Sequence, residues 1–470
     1  MSTIQQKAIR GPVKLEGIHS SGRCVATSEN KHIYLDFGIP GEEVTFTLDR
    51  RKQGFRSGQI VEVITSSAHR VDPFCIHHRQ CGGCPWQHID YPQQLKLKHT
   101  ILSNALIKYG ILTPEVPSVI PSPEMHYYRH RVEYTFAASA YKDTSYADKG
   151  PSGSALGFHC YGEPGQIIDI RECYLQQQPS RSICDFVKLY ALEQGLRFFD
   201  HDQKTGFLRS LSIRTNRSGE TMVVIGFTED RPVERENLLR KLLQEFPVIV
   251  SLCWTIHLSH SHSQLQGEII PYGDTKPYFY KILGGNRFRV NASSFFQPNA
   301  KQAENIFVMA HDWANLSGTE KVYDLYTGLG TIALFLAPGA KQVTGIDASP
   351  GAIEDAEENA KMNGIENAAF LVGDILETFT PDFLLKHGKP DVIVLDPPRS
   401  GTLIEIKKTI KNSGAEKVLY LSCNPVSLAF DLKQLTEVYM VTRIQPFDML
   451  PHTQHLETLV LLEKRDNEQL

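Results

Sequence analysis

A cysteine late in the chain is the residue best placed for covalent chemistry. Cys423 follows the apolar run 417–422, which predicts a buried strand. Asp396 follows a second apolar run, 392–395, in the same way. Because open α/β sheets bind ligands outside the carboxyl ends of their strands, the Cys423 thiol is a candidate nucleophile. The alternative is a small buried apolar residue, the usual state of a free cysteine.

Three strand patterns upstream also carry polar residues at their carboxyl ends. The first, 321–325, runs into a glycine-rich turn at 326–331 that leads into an apolar helix. The next two end at Asp347 and Asp374. Together with the strand before Asp396, they predict a doubly wound α/β sheet with a ligand crevice at one edge.

The glycine-rich turn predicts a nucleotide-type cofactor. Glycines let the backbone approach a ligand closely, and the following helix start offers free N–H groups. We expect Tyr326, Gly328 and Thr331 to contact this cofactor. Asp347 is placed to bind ribose hydroxyls, and Asp374 to lie near the adenine amine. The G-x-G-x-x-G spacing of nicotinamide sites is not completed, which favours S-adenosylmethionine over NAD.

A second group of residues consists of soft metal ligands. Cys75, Cys81 and Cys84 lie within ten positions, and two glycines between the last two permit a tight turn. This spacing favours a metal ion or an iron-sulfur cluster over a packed core. Zinc is the second interpretation, and it could recruit nearby histidines, namely His77, His78 and His88.

The composition is typical of a cytoplasmic enzyme. The chain has 470 residues, a net charge of -4 and nine cysteines. This length allows about three domains, and the cysteine pattern differs from a secreted disulfide framework. We find no signal-peptide pattern and no apolar run long enough for a membrane, so we expect no membrane partner. We also expect a monomer.

The first 70 residues predict a small β-barrel. Five short apolar patterns are separated by glycine-rich turns. One hairpin tip, 50–56, combines four basic residues with one phenylalanine. A charged tip is often only solvated, but it also suits contact with an RNA backbone.

These motifs together resemble the S-adenosylmethionine-dependent RNA uracil-5-methyltransferases, in the branch that carries an iron-sulfur cluster. The resemblance implies an OB-like TRAM barrel over 1–70, a central α+β cluster and RNA-recognition region over 71–290, and a Rossmann-like methyltransferase domain over 291–470. The segments that carry it are 75–84, 295–299, 324–330, 396–399, 422–425 and 455–458.

The resemblance also implies a covalent mechanism. Cys423 adds to C6 of the target uracil, C5 takes the methyl group, and Glu457 removes the C5 proton so that the thiolate can leave. Asp396 borders the cofactor and binds the uracil N–H. Gln297 lies against the methionine part of the cofactor, and Arg131 faces the RNA.

For the cysteine group, the resemblance implies a [4Fe-4S] cluster with a fourth cysteine farther along the chain. Cys160 and Cys173 compete for this place. The segment 169–173 is similar to the family's, so we select Cys173. The complete set of expected cluster ligands is Cys75, Cys81, Cys84 and Cys173.

The expected substrate is a uridine in structured RNA. Within the resemblance, 23S ribosomal RNA comes first and transfer RNA is the nearest rival. Two interpretations come from other classes of protein. One is a catalytically inactive, cluster-containing RNA-binding protein, which would need neither Cys423 nor Glu457. The other is an NAD-dependent reductase, disfavoured by the incomplete glycine spacing.

Overall fold

The computed structural model describes residues 8–49, 56–141, 153–257 and 267–465, and the statements below concern those ranges. Three sheets of six or seven strands and one two-stranded hairpin are present. The mixed α/β class predicted from the sequence is therefore confirmed. The domain boundaries stay predictions.

The amino-terminal sheet has six strands, one more than predicted. The first predicted strand is divided because the chain changes partners: the Leu15 N–H donates to the Glu42 carbonyl, whereas the Glu16 N–H donates to the Val25 carbonyl. Residues 50–55 of the predicted basic tip lie outside the described ranges. The strands are β1 (Arg10–Lys14), β2 (Gly17–Ile18), β3 (Cys24–Ser28), β4 (Lys31–Asp36), β5 (Glu43–Leu48) and β6 (Ser57–Thr65), in the order β1-β5-β6-β4-β3-β2.

A long helix, α1 (Tyr91–Tyr109), follows this sheet. Asp90 caps its start by accepting a hydrogen bond from the Gln93 N–H. Gly110, with φ of 69°, ends it in the left-handed conformation. No helix in the described part of the chain is long and apolar enough to cross a membrane.

The central region is a seven-stranded sheet with two helices packed on it. A two-stranded hairpin then leads toward the last region. The elements are β7 (Arg131–Ala137), β8 (Ala155–Cys160), β9 (Glu163–Asp169), α2 (Ser180–Glu193), β10 (Leu208–Thr215), β11 (Thr221–Phe227), α3 (Pro232–Glu245), β12 (Ile249–Ile256), β13 (Ile270–Pro271), β14 (Tyr278–Leu283) and β15 (Asn286–Asn291). The order of the large sheet is β13-β12-β11-β10-β7-β8-β9.

The carboxyl-terminal region is a doubly wound sheet in the order β18-β17-β16-β19-β20-β22-β21. Its first five strands are parallel, and β22 and β21 add to the edge as antiparallel strands. The elements are α4 (Ala300–Ala314), β16 (Lys321–Leu325), α5 (Thr331–Leu336), a 3-10 turn (Ala337–Gly339), β17 (Gln342–Asp347), α6 (Pro350–Met362), β18 (Ala368–Val372), α7 (Ile375–Thr378), α8 (Pro381–His387), β19 (Val392–Leu395), α9 (Ile404–Ser413), β20 (Lys417–Ser422), α10 (Pro425–Leu435), β21 (Tyr439–Phe447) and β22 (Glu457–Lys464).

The strand order fixes where this sheet can bind a ligand. The chain runs from β16 outward to β17 and β18, then returns to place β19 on the other side of β16. Connections on the two sides of such a switch point diverge, which opens a crevice at the carboxyl ends of β16 and β19. All four residues of β19 are buried, as expected for a strand covered on both faces.

Candidate active site

The glycine-rich turn lies at the carboxyl end of β16. Tyr326, Gly328 and Gly330 have positive φ values of 68°, 57° and 80°, so the chain turns back sharply. Asp347 holds this turn, because its Oδ2 accepts a hydrogen bond from the Gly328 N–H at 3.0 Å. Its Oδ1 accepts a second from the Ser349 N–H at 2.9 Å. Asp347, the residue predicted to bind the ribose hydroxyls, therefore also stabilises the turn.

The other two predicted cofactor contacts flank the same edge of the sheet. Thr331 begins α5 immediately after the turn. Asp374 is exposed beyond β18 and caps α7 by accepting a hydrogen bond from the Leu376 N–H at 2.8 Å. An ionised carboxylate has further lone pairs, so this cap is compatible with the predicted adenine contact.

Two carboxyl groups interact at the switch point. Asp324 belongs to β16, and the partly buried Asp396 follows β19. Burial raises the pKa of each to about 7, and the charge of Asp324 adds to the effect at Asp396. Thr327 donates to Asp324 at 2.6 Å, and Gln297 donates to Asp396 at 3.4 Å. The structure therefore brings Gln297 and Asp396 together. Sequence reasoning did not select Asp324, although it lies at a strand end like the others.

The segment that carries Gln297 is held by the entrance to β7. The His130 N–H donates to the Pro298 carbonyl at 3.1 Å, and its Nε2 lies 3.1 Å from the Phe296 carbonyl. Asn299 then caps α4 by accepting a hydrogen bond from a backbone N–H in the first turn. These contacts fix the side chain of Gln297 toward the crevice from both ends of its segment.

Arg131 follows His130 directly and forms an ion pair with Glu133. Burial lowers the pKa of Arg131 to about 10. The predicted contact of Arg131 with RNA stays a prediction, since its partner in this state is a carboxylate of the same strand.

The two residues predicted to perform catalysis lie side by side. Cys423 follows β20 and Glu457 begins β22, and these strands pair with Ser422 opposite Thr458. Burial, with a contribution from Glu457, raises the pKa of the Cys423 thiol to about 11. Burial also holds the pKa of Glu457 well above its ordinary value, and Asp396 adds to this effect. The Cys423 thiol therefore carries a proton at neutral pH in the free protein, and burial favours the protonated form of Glu457.

An arginine and a histidine that sequence reasoning did not select complete the site. Arg399 Nη2 donates to His455 Nδ1 at 2.9 Å. Because a guanidinium only donates, Nδ1 is the acceptor. Burial, then the charge of Arg399, lowers the pKa of His455 to about 4. Arg399 opposes the raised pKa values of Cys423 and Glu457. The sequence could have indicated both residues, because Arg399 and His455 lie inside the family-like segments 396–399 and 455–458.

The predicted cluster cysteines surround one cavity near α1. Cys75, Cys81, Cys84 and Cys173 all line it, whereas Cys160 is not among its lining residues. Burial raises the pKa of Cys84 to about 12, and the proximity of Cys173 adds to the effect. The thiols are therefore neutral unless a cationic group is held between them.

Two of the three histidines proposed for zinc have other partners, whereas both ring nitrogens of His78 are buried without a hydrogen bond among the described residues. His77 Nε2 accepts a hydrogen bond from the Arg171 N–H at 3.0 Å, and the His88 ring bonds the Gly38 carbonyl at 3.3 Å. Within the described ranges, no group of three or more histidine, cysteine, aspartate or glutamate side chains is arranged to hold a metal ion. The zinc interpretation does not fit this geometry.

Known proteins resemble this chain over nearly its whole length. Residues 283–465 match the family described as tRNA (Uracil-5-)-methyltransferase. A protein of Porphyromonas gingivalis named as an uncharacterized RNA methyltransferase is 36% identical over 461 residues, covering 96% of this chain and 99% of its own. One of Bacteroides thetaiotaomicron with the same name is 36% identical over 453 residues, covering 95% and 100%. The chain belongs to the RNA uracil-5-methyltransferase family.

A solved structure supports this family membership. The tRNA (uracil-54, C5)-methyltransferase of Pyrococcus abyssi, in complex with S-adenosyl-L-homocysteine, superposes with a TM-score of 0.74 at 26% identity. The match covers 96% of this chain and 99% of that one. The predicted enzyme class, an RNA uracil-5-methyltransferase, is confirmed. Family membership contradicts the NAD-dependent reductase interpretation.

Proposed function

We propose that this protein transfers a methyl group from S-adenosylmethionine to C5 of a uridine in structured RNA. The observation that carries the proposal is the placement of Cys423 beside Glu457, with Asp396 near both. Uracil C5 is a weak nucleophile. Addition of a thiolate at C6 makes C5 electron-rich, which divides one difficult step into two easier ones.

Cys423 and Glu457 have complementary tasks. The Cys423 thiol proton passes to solvent, and Sγ forms a bond to C6 as the C5–C6 double bond opens and leaves C5 electron-rich. C5 then takes the methyl group, and the donor leaves as S-adenosylhomocysteine. Glu457, acting as a carboxylate, removes the C5 proton, and the Sγ–C6 bond breaks as the C5–C6 double bond re-forms.

Cys423 must lose its proton, and Glu457 must be in its ionised form, before either group acts. Bound S-adenosylmethionine supplies the methyl group on a positively charged sulfonium. A positive charge near Asp396 and Glu457 favours their ionised forms and lowers their pKa values. Arg399 acts in the same direction on Glu457 and Cys423. We therefore expect donor binding to release protons at neutral pH.

The residues around the crevice each contact a different part of the methyl donor. The turn at 326–331, with Tyr326, Gly328 and Thr331, lies against the donor through its backbone. Asp347 accepts hydrogen bonds from the ribose hydroxyls. The remaining contacts are Asp374 with the adenine amine, Gln297 with the methionine part, Asp396 with the donor and the uracil N–H, and Arg131 with the RNA.

The proposed RNA is 23S ribosomal RNA, which is expected from the combination of an amino-terminal β-sheet domain with a cysteine cavity. In this view the β1–β6 sheet is the TRAM domain and contacts the RNA backbone. Transfer RNA is the second candidate. It is favoured by the family description and by the substrate named for the Pyrococcus abyssi enzyme.

The cysteine cavity is proposed to hold a [4Fe-4S] cluster on Cys75, Cys81, Cys84 and Cys173. The support is a set of four soft ligands around one cavity. Such a cluster takes one thiolate for each iron, so its ligands need not converge on a single ion. A cavity of this kind is compatible with the lack of a single-ion site among the described residues.

Label transfer tests the proposed function. Purified protein is incubated with methyl-labelled donor and, separately, with 23S ribosomal RNA and transfer RNA lacking the modification. We expect labelled 5-methyluridine in the ribosomal RNA. Label in transfer RNA alone would select the second candidate. RNA binding without label in either would favour the inactive RNA-binding protein.

A further inference from the structure

His452 is a buried residue in the wall of the cysteine cavity. It is 7% exposed and lines the cavity together with Phe74 and the four cysteines. Its ring lies 5.0 Å from that of Phe74 and 5.7 Å from that of His126. Neither ring makes a hydrogen bond with His452 in this structure, because Nδ1 contacts only Gln94 and Nε2 contacts no polar atom at hydrogen-bond geometry within the described ranges.

Gln94 determines which nitrogen of His452 carries the hydrogen. The Gln94 Oε1 accepts a hydrogen bond from the backbone N–H of His452 at 2.9 Å, and the Gln94 Nε2 donates to the Ile89 carbonyl at 2.9 Å. The amide orientation is therefore fixed. The same Nε2 lies 3.2 Å from His452 Nδ1. The Gln94 Nε2 also donates to the Trp86 carbonyl at 3.2 Å, so it acts as a donor toward every neighbour. A hydrogen on His452 Nδ1 would face this donor group, so the hydrogen lies on His452 Nε2.

The resulting N–H group has no partner. Nε2 of His452 is buried and makes no hydrogen bond within the described ranges. The Met125 backbone lies close enough to the ring to act as a weak hydrogen-bond acceptor, which partly offsets the lowering of the His452 pKa by burial, but it does not meet the distance and angle of a full hydrogen bond to Nε2. A buried donor without an acceptor costs about 1–3 kcal/mol. Because an unpaired buried donor is unfavourable, we infer that a bound group, rather than the polypeptide, supplies an acceptor beside this nitrogen.

His452 also lies within the segment 448–456, here called the base loop, which ends immediately before Glu457. The loop is anchored on α1, because the buried Lys98 donates to Asp448 at 2.5 Å and to the Leu450 carbonyl at 3.1 Å. Near its middle, the His452 carbonyl accepts from the Trp86 N–H at 2.9 Å.

The base loop therefore connects two sites. Trp86 lies two positions after Cys84, so the loop touches the cysteine segment through its backbone as well as through the His452 ring. At its other end, His455 receives the hydrogen bond from Arg399 beside the catalytic pair. A shift of the cysteine segment would thus move His452, which lies only five positions before Glu457 in the chain.

We propose that the His452 Nε2–H donates a hydrogen bond to a sulfur atom of the group held by the four cysteines, and that this bond positions the base loop and Glu457. The inference rests on the proposed cluster and gives it a consequence for catalysis. His452 is a positioning residue, since it touches neither uracil nor methyl donor. Hydrogen bonds from protein N–H groups to cluster sulfur are a recognised means of tuning such centres.

Pulsed electron-nuclear spectroscopy on the reduced, anaerobically purified protein tests the hydrogen bond. With ¹⁵N-labelled histidine, we expect coupling of the cluster spin to one imidazole nitrogen and to one proton that exchanges in D₂O. His452→Leu should lose both couplings. His126→Leu, which removes a neighbouring histidine that does not line the cavity, should retain them.

The wild-type spectrum alone can overturn the inference, even where the leucine variant does not fold. Iron and sulfide with no exchangeable histidine coupling would remove the hydrogen bond but leave the cluster in place. Absence of iron and sulfide from the wild-type protein would overturn the cluster proposal as well. The two failures are therefore distinguishable.

Trapping of RNA tests the effect on the base loop. With methyl-labelled donor, His452→Leu should accumulate a denaturant-resistant protein–RNA complex severalfold above the wild-type level, because addition proceeds while proton removal by Glu457 slows. His452→Gln keeps an N–H donor and should lie closer to wild type. Equal complex levels in all three proteins would contradict the positioning role.

Discussion

The catalytic crevice and the cysteine cavity both bury several acidic groups, but they neutralise these groups differently. In the crevice, the carboxyl groups of Asp324 and Asp396 have pKa values of about 7, and Arg399 opposes the raised values around it. In the cavity, burial raises the pKa of Cys81 and Cys84 far above neutrality. Protons alone can change the charge of the crevice at physiological pH, whereas the cavity needs a bound cationic group.

This difference separates the tasks of the two regions. A site that titrates near neutrality suits proton transfer in each catalytic cycle. A site whose thiols ionise only around a metal suits a permanently bound group. Substitutions in the crevice should therefore alter chemical steps, and substitutions in the cavity should alter what the protein contains.

The largest effect is expected from Cys423→Ala. Without the thiol, no bond to C6 can form, so product formation should fall by at least about 10⁴-fold while donor and RNA still bind. Methyl-label transfer and a filter-binding assay measure the two properties. Retained turnover would exclude the covalent mechanism.

Loss of most of the bound metal is expected from Cys173→Ser. Anaerobically purified wild-type protein should contain about four irons per chain, as a four-iron cluster requires, and this variant well under half of that amount. Cys160→Ser is the matched control and should keep its iron. If the control loses iron and Cys173→Ser does not, Cys160 is the fourth ligand. Stoichiometric zinc without sulfide would exclude the cluster.

A moderate effect on donor binding is expected from Asp347→Ala. Removing a charge-assisted hydrogen bond to the ribose should weaken binding by about tenfold, or roughly 1.4 kcal/mol. Titration calorimetry measures the affinity. The thermal midpoint of the free protein is the control, because Asp347 also holds the Gly328 N–H. Unchanged affinity would remove the ribose role.

The last effect concerns folding stability rather than binding or chemistry, and it is a pH-dependent change caused by Asp324→Asn. The pKa of Asp324 is raised from 3.8 to about 7, so the folded state binds this proton more tightly than the unfolded state. Wild-type stability should therefore fall as the pH rises through this window. The variant lacks this loss and should gain on the order of 1–3 kcal/mol relative to wild type at pH 8, and little near pH 4.

Urea unfolding across this pH range measures the Asp324→Asn effect, with the exposed Asp382→Asn as control. A stability difference that is the same at every pH would show that Asp324 does not titrate as the account requires.

The crevice could be predicted because its residues lie at strand ends. The apolar runs 392–395 and 417–422 coincide with β19 and β20, so Asp396 and Cys423 fall where the pattern placed them. Burial on both faces makes such strands continuously apolar, and their ends are correspondingly sharp in the sequence.

Contacts between distant segments could not be predicted in the same way. Lys98 and Asp448 are 350 positions apart, and no local pattern marks them as a buried pair. Arg399 and His455 meet only because the added strands β21 and β22 return the chain to the crevice. Loop packing determines both pairs, and residue spacing carries no record of it.

The most direct test of the account is the mass of the complex that Glu457→Gln forms with substrate RNA. Without the carboxylate, addition and methyl transfer can occur but the C5 proton stays, so elimination is blocked. Peptide mass spectrometry after nuclease digestion should find 5-methyl-dihydrouridine monophosphate attached to Cys423. Normal turnover without any adduct, or an adduct on another residue, would contradict the proposed roles of Cys423 and Glu457.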